Sequence, residues 1–136
     1  MQTSSFFHYQ GEGRISIARQ VPRGTPAGYR IYKPLWPGSW LWQDPYKSDI
    51  DAYRKKYFSD VLAHLNAQQV YDDLRRLAGK SEPVLLCWEH LVKPDDWCHR
   101  RMAAEWFTNE LGITVPEVKI TARKASDKQP SLLDAL

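Results

Sequence analysis

Apolar residues recur at helical steps through the middle of the chain and alternate near its start. Arg14-Ile15-Ser16-Ile17-Ala18 alternates between glycines and Pro22, which predicts a first strand. Ile50, Tyr53, Tyr57, Val61 and Leu65 mark one helical face behind Ser48-Asp49, a pair suited to capping. Val70, Leu74 and Leu77 continue the pattern in a shorter helix that Gly79 ends. Val84-Leu85-Leu86-Cys87 is an unbroken apolar run, so Pro83 to Trp88 predicts a buried strand. A further helix is expected from Asp95 or Asp96, with Met102, Ala103, Trp106 and Phe107 as its apolar face and Gly112 closing it. Val115 to Thr121 is read as a last short strand.

Between the first strand and the first helix lies an irregular stretch, residues 20–48. It holds Pro22, Pro26, Pro34, Pro37 and Pro45, a density that forbids a regular helix or central strand. Its Trp36, Trp40 and Trp42 are expected to pack it down, and a long ordered loop of this kind tends to serve function. Strand, helices, apolar strand, helix is the order of a three-layer, Rossmann-like α/β domain with a short, mostly parallel sheet. We expect one α/β domain over residues 1–121 and a polar tail over residues 122–136.

Totals narrow the picture only a little. A net charge of +3 permits phosphate-bearing partners without demonstrating them. No run approaches a membrane span, and the N-terminus lacks the regions of a signal peptide. A cytoplasmic protein is therefore expected, with its 2 cysteines as thiols and not as a structural disulfide.

The chemistry is concentrated where the apolar strand gives way to the last helix. Cys87 and Glu89 fall at the carboxyl end of that strand, where parallel sheets bind ligands. Trp97-Cys98-His99-Arg100-Arg101 follows. With Cys98 in the first helical turn, the unpaired N–H groups and the neighbouring cations favour an anion there. That anion is either the Cys98 thiolate or a ligand phosphate gripped by Arg100 or Arg101. Cys98 is a candidate nucleophile with His99 or Glu89 as proton partner. Alternatively Glu89 is a general base, its carboxyl raised by Trp88. A metal held by Cys87, Cys98, His99 and His90 is disfavoured: neighbouring residues at a helix start point apart. The sequence leaves the cofactor unknown.

Arg19, just after the first strand, is expected to reach the same cleft as Glu89. Trp36, Trp40 or Trp42 offers a face on which a base stacks. Against all this stands ordinary packing: Cys87 as core, the tryptophans as buried area, Glu89 as an ion-pair partner.

Leu85-Leu86-Cys87-Trp88-Glu89 and Cys98-His99-Arg100-Arg101 together resemble the bacterial and phage family called domain of unknown function 488. Ile15-Ser16-Ile17-Ala18-Arg19-Gln20-Val21-Pro22 and Leu35-Trp36-Pro37 are similar to its N-terminal segments. The resemblance spans about residues 3–118. It implies a Rossmann-like sheet and a pocket shared by Arg19, Cys87, Glu89, Cys98, His99 and Arg100. It implies no established reaction. Many members carry an acidic residue where this chain has Ile17.

The residues and the resemblance together give an anion-binding pocket that acts on or binds a nucleotide or nucleic-acid component. A non-catalytic phosphate-binding module and a thiol redox or metal-sensing protein are the alternatives. In the tail, Gln129 with Leu132-Leu133 is similar to short peptides that dock on the bacterial sliding clamp, though the usual aromatic is missing.

Overall fold

The computed structural model describes residues 1–88 and 98–119. Four parallel strands form one sheet: β1 (Gln2–Ser5), β2 (Arg14–Ser16), β3 (Arg30–Ile31) and β4 (Val84–Cys87), in the order β1-β4-β2-β3. Three helices accompany it: α1 (Ile50–Asp60), α2 (Ala67–Ala78) and α3 (His99–Leu111). This is the expected Rossmann-like α/β architecture. The apolar β4 is central, paired with Ser16 through Leu86 on one side and with Ser5 through Cys87 on the other.

Strand alternation divides the core in two. Ile15, Ile17 and Leu85 face the helices, where they meet Tyr57 of α1, Leu74 of α2 and Phe107 of α3. Val84 and Leu86 face the other way, into a smaller cluster with Phe6, Tyr9, Val21 and Val118. Among the described residues the layer over this second face is thus made of irregular chain, not of helix.

Local chemistry sets the helix ends. Asp49 accepts hydrogen bonds from the Asp51 and Ala52 N–H groups and starts α1. The expected face running on to Leu65 is interrupted, because α1 stops at Asp60 and one tight turn, Leu62–His64, follows. Asn66 caps α2, and Gly79 ends it at a φ of 66°, a conformation open to glycine.

Two strands form where the residue pattern predicts none. β1 is polar, yet it is buried between β4 and the segment around Glu117. β3 is two residues long and lies inside the proline-rich stretch. Conversely, the strand expected over Val115 to Thr121 is reduced to one parallel bridge between Thr3 and Glu117 within the described residues.

The proline-rich stretch is anchored to the sheet. Buried Arg14 donates to the carbonyls of Gly11 (2.9 Å), Pro26 (2.8 Å) and Ala27 (2.5 Å). Tyr57 Oη donates to the Leu35 carbonyl at 2.8 Å. No helix among the described residues is long and apolar enough to cross a membrane.

Candidate functional site

Extended backbone just before α3 brings the two sulfurs together. Cys98 is the N-cap residue, with φ −155° and ψ 154°, and the helix starts at His99. This corrects the expectation that Cys98 lies in the first turn. The start expected at Asp95 or Asp96 lies outside the described residues. Cys98 reaches the end of β4, where its sulfur is bonded to that of Cys87, with Sγ atoms 2.09 Å apart. The sequence reading favours two thiols. The structure joins them, because β4 and the entry to α3 converge on one point.

His99 joins the pair. Its Nδ1 lies 3.6 Å from Cys98 Sγ, and its Nε2 lies 2.7 Å from the Ile17 carbonyl. A carbonyl only accepts, so Nε2 carries the proton and Nδ1 presents a lone pair to the sulfurs. Burial pushes the imidazole down to about 4; the Arg100 charge adds to this and the Ile17 carbonyl opposes it. His99 is therefore neutral near pH 7. Cys87 Sγ, Cys98 Sγ and a His99 ring nitrogen all lie within 4.8 Å of one another. The expectation that Cys98 and His99 diverge fails here. That rule holds for two helical residues, and Cys98 is not helical.

Arg100 and Arg101 both approach the Glu117 carboxylate, and neither lines the cleft described below. Arg100 is only 1% exposed, and its Nε and Nη2 both reach the Glu117 carboxylate at 3.1 Å. Its Nη1 donates to Cys87 Sγ at 3.2 Å. Arg101 Nε lies 3.6 Å from the same carboxylate. Glu117 also accepts from Thr3 Oγ1 at 3.1 Å. Burial pushes the Glu117 carboxyl up, but hydrogen bonds and charge from Arg100, with help from Thr3 and Arg101, outweigh this and hold it below its ordinary value. Arg100 thus engages both Glu117 and the Cys87 sulfur and does not line the cleft.

Cys87, Cys98 and His99 form the floor of a cleft of about 560 Å³ at the carboxyl ends of β4 and β2. Arg19, Gln20, Pro37, Tyr53 and Lys47 line its sides, with Trp42 and Trp88 at the mouth. Arg19 lines the cleft together with Cys87 and Cys98, while Glu89, expected to share it, lies outside the described residues. Its Nη1 donates to the Pro37 carbonyl at 3.0 Å and its guanidinium lies over the Trp36 ring, 5.2 Å from the centroid. No carboxylate among the described residues pairs with it.

The tryptophans divide differently from expectation. Trp36 backs Arg19 from behind and does not line the cleft. Trp40 is packed edge-on against Tyr46 (5.2 Å) and Tyr53 (5.1 Å) and also stays out of the lining. Trp42, 54% exposed, takes the lining position. Trp88, also exposed, lines the cleft as well, its indole N–H donating to the Gln20 carbonyl at 2.7 Å. Tyr53 and Lys47 are further lining residues that the sequence reading does not single out. Helical periodicity marks Tyr53 only as core.

Glu89, His90 and the tail with Gln129, Leu132 and Leu133 lie outside the described residues. No protein-family model, no curated protein and no solved structure matches the chain.

Proposed function

We propose that this protein is a cysteine-centred enzyme whose cleft takes a nucleotide or nucleic-acid component. One observation carries the reading: a buried neutral imidazole aims its bare nitrogen at Cys98 Sγ, 3.6 Å away, on the floor of an open cleft. In the reduced protein His99 Nδ1 accepts a hydrogen bond from the Cys98 thiol and orients it. The proton leaves to water in the cleft, and the thiolate attacks the ligand's phosphorus, forming an S–P bond as the P–O bond to the nucleoside breaks and that oxygen takes a proton from water. Arg19 and Lys47 supply positive charge for a phosphate. Trp42 and Trp88 offer aromatic faces to a base. Cys87, held by Arg100, lies within bonding reach and protects Cys98 as the disulfide.

The same residues support the proposed kinship with domain of unknown function 488. A cytoplasmic setting fits, since it keeps such a pair reduced.

The test uses the full chain reduced by a phosphine, in a chelator-containing buffer. We expect iodoacetamide to label Cys98 at a pH where ordinary thiols stay protonated. We also expect a nucleoside monophosphate, but not the bare nucleoside, to raise Tm and slow that labelling, with Arg19→Ala erasing both effects. An inert Cys98 together with a nucleotide-induced Tm shift would demote the protein to a binding module. Absence of both responses would overturn the proposal.

A further inference from the structure

We propose that the reduced protein binds one thiophilic divalent cation of the zinc class through Cys87 Sγ, Cys98 Sγ and His99 Nδ1. This goes beyond the cleft's proposed ligand and stands whether or not a phosphate enters.

The donor set is a soft one, two sulfurs and one imidazole nitrogen, which selects zinc-like ions over magnesium or calcium. The donors converge, since all three lie within 4.8 Å of one another. In a tetrahedral zinc site, donor atoms stand roughly 3.5–3.8 Å apart, and Cys98 Sγ to His99 Nδ1 is already 3.6 Å. The Cα atoms of Cys87 and Cys98 are 7.4 Å apart. Bridged cysteines usually span about 4.4–6.8 Å. The backbone thus already holds them at a separation suited to two side chains reaching one shared ion.

The surroundings of the donors are built as well. Ile17 O holds the His99 Nε2–H, which fixes the tautomer with Nδ1 inward; metal-bound histidines are typically held this way. Arg100 donates to Cys87 Sγ and stabilises it as thiolate. All three donors are more than nine-tenths buried and all line the cleft floor, so the fourth coordination position faces the cavity. That is the arrangement of an open site with three protein ligands.

Metal and disulfide are alternative states. A phosphine and one water reduce the disulfide to two thiols, and the phosphine leaves as its oxide. On binding, the two thiols release two protons and the ion accepts two thiolates and one neutral imidazole. The loaded site is electrically neutral, with Cys98 masked.

The experiment titrates the full, phosphine-reduced chain with Zn²⁺ against a chromophoric chelator, and with Co²⁺ while monitoring sulfur-to-cobalt absorption. We expect one ion per reduced chain and none after oxidation to the disulfide. Mg²⁺ should not compete. Cys87→Ser, Cys98→Ser and His99→Gln should each weaken Zn²⁺ by more than the about 10- to 100-fold that outer-shell changes cost. Arg100→Lys should fall within that smaller range. Should a cysteine variant fail to fold, the reduced-against-oxidised comparison still decides. No sulfur-to-cobalt band in the reduced protein would overturn the inference, as would equal uptake by the oxidised chain or unchanged affinity in His99→Gln. None of these measurements contains a nucleotide, so their failure is distinguishable from failure of the catalytic reading.

Discussion

The helices on either side of β4 begin in opposite ways. α2 opens on Asn66, whose side chain accepts from the Gln69 N–H at 2.9 Å. α3 opens on Cys98, whose side chain makes no capping bond and turns instead to Cys87 and His99. A good cap is worth about 1 kcal/mol, and α3 goes without it. An N-cap side chain serves either its helix or a neighbouring site. At α2 the helix is served, and at α3 the site.

The strongest way to break this contrast is to remove the group that holds the α3 end in place. Arg100→Ala leaves the part-buried Glu117 carboxylate without its main partner and empties a large buried volume. Urea titration should show a loss of roughly 3 kcal/mol, near the lower end for a broken buried pair because Glu117 retains some solvent. An ion pair on the exposed side of α2 gives the reference: Arg76→Ala removes the surface pair with Asp73 near the end of that helix and should move stability by less than about 1 kcal/mol. Equal losses at the two helices would erase the contrast.

Acid should act on the same end, and its sign follows from burial. His99 binds its proton only near pH 4 in the fold but near 6.5 when unfolded. Between those values the unfolded chain holds more protons, so folding weakens as pH falls from 6.5 toward 4 and is unaffected by this group above 6.5. The expected loss across the window is about 3 kcal/mol in the metal-free disulfide form. Urea midpoints at several pH values measure it, and His99→Gln should flatten the slope.

The smallest effect sharpens the comparison from the other side. Asn66→Ala should cost about 1 kcal/mol by losing the cap. It should leave the iodoacetamide rate of Cys98 unchanged. A changed thiol rate would mean that the two helix starts are energetically linked.

What the sequence discloses tracks how local each signal is. The α1 cap at Asp49, the Gly79 stop and the apolar β4 are each written in adjacent residues, and each is found where expected. The cleft floor is legible too, because Cys87, Cys98 and His99 flank one strand-to-helix junction. β1 is not legible: Gln2-Thr3-Ser4-Ser5 has no apolar pattern and becomes a strand only through β4 and the Glu117 segment. Arg100 resembles a ligand grip until Glu117, seventeen residues on, claims it. Three tryptophans in one loop look alike in sequence, and only tertiary packing assigns Trp40 to the tyrosines and Trp42 to the cleft.

The placement of β4 also dictates a schedule. β1 and β2 both take their hydrogen-bonding partner from a strand that a ribosome delivers some eighty residues after the first of them. Pairings so distant along the chain are slow to find. Most of the polypeptide is thus made before the sheet's central pairings can form, and Cys98, which follows β4, is made later still.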